Sequence, residues 1–253
     1  MRIVRTIAEM RGAKRVGVVG LVPTMGAYHR GHLALFAAAC AECDTVVASL
    51  FVNPAQFAAG EDLARYPRDE ERDANLAEDA GVDVLFTPAA AELYPEGFQT
   101  WVEVEKLGSI LEGAFRPGHF RGVATICCKL FNIVRPHAAY FGQKDAQQVE
   151  VVRRMARDLD LGVEIRVVPT VRDADGLALS SRNAYLSSTE RDAALALPRA
   201  LATRDPAEAR ALLNGLAVDY LEVAPFDPPV LAAAVRVGRT RLIDNVPLEG
   251  AKT

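Results

Sequence analysis

Five near-continuous apolar runs, separated by stretches of helical character, constrain this chain more than any other feature. They are Val16 to Val22, Thr45 to Val52, Val82 to Phe86, a fourth near Ala138 to Phe141, and Val163 to Val168. Continuous apolarity, rather than alternation, is what a strand needs when both of its faces are covered. Leu33 to Glu42, Asp69 to Ala80, Val123 to Val134 and Gln147 to Leu159 read as helices. Strand–helix–strand order repeated in this way predicts a parallel sheet with helices on both faces, an α/β, Rossmann-like, doubly wound domain over residues 1–171.

After about Val171 the pattern changes, and Arg172 to Asn183 is polar and turn-rich. A helix is expected from Ser188 or Thr189, with Thr189 and Asp192 at capping-box spacing. A second is expected after Asp205-Pro206, where Asp caps and Pro opens the first turn. Asp219 to Val223 and Arg241 to Ile243 read as strands. Residues 172–253 are too few for another doubly wound domain and are expected to form a small α+β lobe.

Composition excludes several classes. Half of the 253 residues are hydrophobic and a quarter are charged, which supplies a sizeable core and argues against disorder. A net charge of −4 disfavours a partner such as nucleic acid, which needs a basic face. No run approaches the roughly 18 apolar residues of a membrane span, and the N-terminus lacks the apolar core of a signal peptide. A soluble cytoplasmic protein is expected. Cys40 and Cys43 form one C-x-x-C, and Cys127 and Cys128 are adjacent. With no second such pair and no nearby C-H set, they are expected to be buried free thiols rather than zinc ligands.

A nucleotide in a doubly wound sheet sits at the carboxyl ends of the strands. Neither G-x-x-x-x-G-K-[ST] nor G-x-G-x-x-G follows the first run. The chain reads instead Pro23-Thr24-Met25-Gly26-Ala27-Tyr28-His29-Arg30-Gly31-His32, then an apolar helix. The free N–H groups and dipole of a helix start favour an anion, and Gly26 and Gly31 permit close backbone approach. Two imidazoles three residues apart share one side of the opening turn, where they can donate hydrogen bonds to phosphate oxygens as charge moves onto a leaving pyrophosphate.

The H-x-G-H turn resembles the signature of the class I aminoacyl-tRNA synthetase and nucleotidyltransferase superfamily. The fuller run Val22 to His32 is similar to one branch of it, the pantoate–β-alanine ligases (pantothenate synthetases). Further segments fit that branch in order: Phe51 to Phe57 (FVNPAQF), Asp62 to Arg68 (DLARYPR) and Leu111 to Gly113 with Arg116 to Val123 (LEG, RPGHFRGV). Phe141 to Gln148 (FGQKDAQQ), Asp175 to Asn183 (DGLALSSRN) and Arg241 to Asn245 (RLIDN) follow.

The resemblance implies condensation of pantoate with β-alanine to pantothenate, in coenzyme A biosynthesis, with ATP split to AMP and pyrophosphate through a pantoyl adenylate. It implies His32, His29, Lys144 and Arg182 as catalytic residues. It assigns Met25, Gly26, Ala27, Tyr28, His29, Arg30, Gly31, His32, Gly142, Gln143, Lys144, Asp145, Val171, Leu179, Ser180, Ser181 and Arg182 to ATP, with a backbone contact to adenine at Val171. Gln56, Gln148 and Asn53 are implied for the substrates. ATP is a substrate, Mg²⁺ accompanies it without direct protein ligation, and a homodimer is expected. Each role suits its chemistry. Lys144 is a mobile point cation, and Asp145 can accept from ribose or meet Mg²⁺ through water. Ser180, Ser181 and Arg182 offer hydroxyls and a guanidinium to a triphosphate, and amides suit a small hydroxy acid.

Three departures stand out. Arg30 occupies a position where many relatives carry an acidic residue. It is expected to point to solvent, but turned inward it would depress both histidine pKa values. Ala146 stands where an aromatic is usual. Thr203 to Leu216 is short, so the second lobe is trimmed. Arg116, His119 and Arg121 form a basic cluster that reads either as a phosphate entrance or as a solvated surface loop. Two other functions compete with the ligase: a nucleotidyltransferase that keeps the nucleotide on its product, and a non-catalytic nucleotide sensor.

Overall fold

The computed structural model describes residues 1–58 and 61–248, the Asp62 side chain excepted. The chain divides into two compact units. One is Met1–Phe141 with Val151–Val168, and the other is Gly142–Glu150 with the chain from Pro169 onward. This division differs from a boundary at residue 171 in two places, since residues 142–150 and 169–171 belong to the second unit.

The first unit runs β1 (Arg2–Val4), α1 (Ile7–Gly12), β2 (Val19–Thr24), α2 (Arg30–Glu42), β3 (Thr45–Leu50), α3 (Glu70–Asp79) and β4 (Val84–Phe86). It continues through α4 (Ala90–Leu93), α5 (Glu112–Phe115), α6 (His119–Val134), β5 (Ala138–Gly142, all but its last residue), the part of α7 (Ala146–Asp158) from Val151 and β6 (Glu164–Val168). The strands form one six-stranded sheet in the order β1-β4-β3-β2-β5-β6. The pairs β1·β4, β3·β4, β2·β3 and β2·β5 are parallel. The expected α/β sheet is therefore present. The runs forming β2 to β5 are largely buried, with Val22, Val46, Ala48, Leu85 and Ala138 packing with Phe36 and Ala39 of α2 and Ala77 of α3, whereas β6 contains no buried residue, contrary to a strand covered on both faces.

The order reverses at β2: the chain moves from it to β3 on one side and returns to its other side as β5. The carboxyl end of β2 is thus the topological switch point, where a ligand crevice forms in such sheets.

Several boundaries differ from expectation for local reasons. The first run becomes a strand only at Val19. Gly17 has φ +58° and the Val18 N–H donates to Asp44 Oδ2 at 2.7 Å, which draws residues 16–18 into a turn. The edge strand β1 is three residues long, too short to register as an apolar run. α2 begins at Arg30 because His29 caps it, and α6 begins at His119 just past a left-handed Gly118. Of the cysteines, all free, only Cys127 is buried, and Cys40 is exposed.

The second unit contains α8 (Ser188–Ala194), α9 (Ala196–Ala202), α10 (Pro206–Leu212), β7 (Ala217–Ala224), β8 (Val230–Val237) and β9 (Thr240–Pro247). The strands form an antiparallel sheet in the order β7-β8-β9. Its core joins Leu197 and Leu201 of α9 to Leu221, Leu231, Val235 and Leu242. The cap of α8 is Ser187 with Glu190, not Thr189 with Asp192: the longer glutamate reaches back to the Ser187 N–H at 2.9 Å. Asp205 caps α10 as expected, accepting from the Ala207 and Glu208 amides. The central strand β8 (VLAAAVRV) has no counterpart in the sequence reading. Its alanines carry little strand propensity, and its place between two partners holds it extended.

Candidate active site

The turn after β2 carries both histidines on a small amount of strained backbone. Gly26 (φ +85°) and Ala27 (φ +53°) are left-handed, and Tyr28 packs fully buried against Phe36. The Thr24 hydroxyl bonds the Ser49 carbonyl (2.6 Å) and the Tyr28 hydroxyl (3.1 Å), tying the turn to β3. Burial holds the Tyr28 phenol protonated, well above its ordinary pKa.

The two imidazoles cap α2 reciprocally. His29 Nδ1 accepts from the Gly31 N–H at 3.1 Å, and His32 Nδ1 accepts from the His29 N–H at 3.3 Å. A backbone N–H only donates, so in each neutral ring Nδ1 is the unprotonated nitrogen and Nε2 carries the hydrogen. The ring centroids lie 4.2 Å apart. The turn therefore fixes both rings through Nδ1 beside a helix N-terminus. Arg30, between them in sequence, is exposed.

Gln56 ends the short turn Pro54–Gln56 that follows β3, and its neighbours fix its polarity. Asn53 Nδ2 donates to the Gly122 carbonyl (3.1 Å) and to Gln56 Oε1 (3.0 Å). Asn53 Oδ1 accepts from the Ala55 N–H and from the Tyr94 hydroxyl (2.9 Å). Because Gly122 O can only accept, the Asn53 amide has one orientation, and Gln56 must face it with its oxygen. The Gln56 NH₂ has no partner among the described residues and is left as a pure donor. Asn53, 1% exposed and saturated with protein bonds, supports Gln56 from behind.

In the Arg116–His119–Arg121 cluster, Arg116 and His119 are partly buried and held by protein contacts, whereas Arg121 is exposed. Arg116 makes a two-pronged ion pair with Glu61 (2.8 and 2.7 Å) and donates to His119 Nε2 at 3.2 Å. The opposite nitrogen, Nδ1, therefore carries the hydrogen and donates to the Gln56 carbonyl at 2.9 Å. Burial, then the Arg116 charge, push the His119 pKa down to about 4. Arg121 lies apart, its guanidinium 5.0 Å from the Trp101 ring centroid.

The second unit carries the remaining candidates on two turns packed against β9. The turn Gln143–Asp145 is clamped by Asn245. Asn245 Nδ2 donates to the carbonyls of Gln143 and Lys144, and its Oδ1 accepts from Gln143 Nε2, all at 2.9 Å. Lys144 Nζ lies 3.4 Å from Asp145 Oδ1. Gln148 is partly buried on α7, with no hydrogen-bond partner among the described residues. The other turn, Ser181–Tyr185, leaves a small hairpin in which the Leu179 N–H donates to the Val171 carbonyl and Arg172 pairs with Ala178. Ser180 Oγ accepts from the Arg182 N–H and so caps this turn. Arg172 grips the buried Asp244 at 2.6 and 3.1 Å. Adjacent residues of β9 thus hold both turns.

Two buried side-chain oxygens in the described residues lack a protein partner, Thr170 Oγ1 and Asn183 Oδ1. They flank the segments carrying Val171 and Arg182, and sequence reasoning passed over both. It also passed over Asp73, Tyr94 and Glu61. Of these Asp73 alone leaves a sequence signal, as an acid four residues before Ala77 on the buried face of α3. Among the described residues no three His, Cys, Asp or Glu side chains gather closely enough to cage a metal ion.

The chain matches the family model "Pantoate-beta-alanine ligase" over residues 2–247. It is 52% identical over 280 aligned positions to the pantothenate synthetase of Heliobacterium modesticaldum, covering 98% of this chain and all of that one. The crystal structure of pantothenate synthetase from Thermus thermophilus superposes with a TM-score of 0.95 at 48% identity, covering 99% of this chain and 100% of that one. The pantoate-β-alanine ligase of Francisella tularensis, described as complexed with β-γ ATP and β-alanine, superposes at 0.87 with 33% identity over both full lengths.

Proposed function

The chain belongs to the pantoate-β-alanine ligase family and joins pantoate to β-alanine, and we propose that it does so in two steps on ATP. In the first step a pantoate carboxylate oxygen bonds to the α-phosphorus, the bond to the β-phosphate bridge breaks, and pyrophosphate leaves. In the second the β-alanine amine bonds to the acyl carbon, AMP leaves, and the amine gives up its proton. A carboxylate is a poor acyl donor, and adenylation gives it a good leaving group.

The observation that carries this reading is the reciprocal histidine cap at the switch point. It fixes both imidazoles through Nδ1 at a helix start, where an anion is favoured, and leaves the hydrogen of each neutral ring on Nε2, a donor type suited to stabilising charge on departing pyrophosphate. His32 and His29 serve the phosphates. Lys144 and Arg182, with the Ser180 and Ser181 hydroxyls, neutralise the triphosphate. Gln56, as a pure donor, holds an oxygen of pantoate, and Gln148 supplies a second amide. Val171 meets adenine through its backbone, with Thr170 and Asn183 offering buried polar atoms nearby. Adenylate chemistry also requires that water be kept out, since an acyl adenylate hydrolyses readily.

Mg²⁺ bound across the phosphates would supply charge neutralisation. Asp145 is the carboxylate that would meet such an ion through water. A cytoplasmic homodimer completes the proposal, and no helix among the described residues is long and apolar enough to cross a membrane.

The test is product analysis with ATP, pantoate and β-alanine. Equal amounts of AMP and pantothenate are expected, with pyrophosphate–ATP exchange requiring pantoate but not β-alanine. A nucleotidyl group retained on the final product, or no AMP from any combination, overturns the reading.

A further inference from the structure

Asp73 lies outside every residue assigned above to ATP or substrate. It sits on α3, 1% exposed, and its two carboxylate oxygens accept from consecutive amides: Ala27 at 2.7 Å and Tyr28 at 2.8 Å. Those amides belong to the turn that carries His29 and His32. Ala27 is left-handed without being glycine, a conformation that persists only where the surroundings over-determine it. The carboxylate provides that determination. Arg72 completes the grip by donating to the Tyr28 carbonyl at 3.1 Å. The fit is close: a Cβ at Gly26 would stand 2.8 Å from Asp73 Oδ2.

The consequence reaches the imidazoles in two covalent steps. Asp73 and Arg72 hold the Tyr28 N–H and C=O. The next N–H, that of His29, is the group bonded to His32 Nδ1. We propose that Asp73 is a positioning residue for adenylation: through the backbone of residues 27–29 it sets the orientation and tautomer of His32 and His29 without touching substrate. The proposal rests on the ATP reading of the histidine turn.

The experiment compares wild-type protein with Asp73→Asn, a change that keeps the size of the side chain but sets an NH₂ against one backbone N–H. Circular dichroism and thermal melting establish folding. Pyrophosphate–ATP exchange with pantoate reads the first step, and AMP release from preformed enzyme-bound pantoyl adenylate on adding β-alanine reads the second. Nitrogen NMR of the imidazoles reads the tautomer. Exchange is expected to fall about 100-fold, as displacement of about an ångström does at a reacting centre, with the second step within about threefold of wild type. The Nε2–H preference at His32 is expected to weaken. Equal losses in both steps, or exchange within about twofold of wild type, overturn the proposal.

Should Asp73→Asn not fold, Arg72→Met is the second variant, since Arg72 is 55% exposed in its side chain. It is expected to slow exchange about threefold to tenfold and spare the second step. Unchanged exchange in a folded Arg72→Met, with unaltered imidazole signals, counts against the proposal. Wild-type protein without exchange would overturn the ATP reading alone, because the NMR comparison still tests what Asp73 does to the imidazoles.

Discussion

An amide carries a donor and an acceptor, and at Gln56 the protein has already used the acceptor. The same economy holds at His119. Arg116 cannot lose its proton, so the nitrogen facing it must accept, and the other nitrogen must donate to Gln56 O. A second proton would put a cation in a buried site and, beside that cost, against Arg116, offset in part by the Gln56 carbonyl, Glu112 and Glu61, which is why the pKa falls to about 4 from an ordinary 6.5. A base whose pKa is depressed on folding binds its proton more readily in the unfolded chain. Its contribution is therefore complete above pH 6.5 and is lost as the pH falls through about 4. The shift corresponds to about 3 kcal/mol. Denaturant midpoints at pH 7 and pH 4 test this against His119→Asn, whose side-chain amide can also donate to Gln56 O. Wild type is expected to lose about 3 kcal/mol more than the variant over that interval. Parallel losses would show that His119 protonates without cost to the fold.

At the scale of elements, α6 and the Gln56 turn are built against each other. A Cβ on Gly122 would lie 2.3 Å from the Ala55 carbonyl oxygen and 2.7 Å from the Gln56 nitrogen, all backbone that cannot swing aside. Gly122→Ala is therefore expected to destabilise by about 1–3 kcal/mol and to raise the KM for pantoate more than that for ATP. Equal changes in the two KM values would mean that the turn does not hold pantoate. Such a contact explains what was and was not legible in the sequence. Apolar content revealed β2 to β6; burial accounts for it in β2 to β5, whereas β6 has no buried residue. The alanines of β8 leave none, and its strand state comes from pairing with β7 and β9. The R-P-G-H-F-R-G segment was visible as a motif, but its charges left a phosphate entrance and a solvated loop equally open. Only the fold brings Glu61, more than fifty residues away in the chain, to Arg116 and turns that charge to structure.

Over the whole molecule, a residue that touches ligand and a residue that holds it in place are often far apart in sequence, and the second kind leaves almost no local signal. His29, His32, Gln56, Lys144 and Ser180 to Arg182, proposed to meet ligand, stand in recognisable motifs. Asp73, 45 residues from Tyr28, does not. Asn245 is the extreme case: it clamps the Lys144 turn from 101 residues away, in β9. Its three bonds at 2.9 Å satisfy the carbonyls of Gln143 and Lys144 and the Gln143 amide, and Asn245 itself is 4% exposed. Asn245→Ala removes all three and leaves buried acceptors open, a loss of about 2–3 kcal/mol at roughly 1 kcal/mol for each bond. Asn245→Asp retains an acceptor for Gln143 Nε2 but loses both donations, so it separates holding the side chain of Gln143 from holding the backbone of Lys144. If the clamp serves to aim Lys144, both variants fold, both slow ATP-dependent adenylation by about tenfold or more, and the KM for pantoate moves less than twofold. A lower melting temperature with wild-type adenylation in both would instead assign Asn245 to packing of β9 alone.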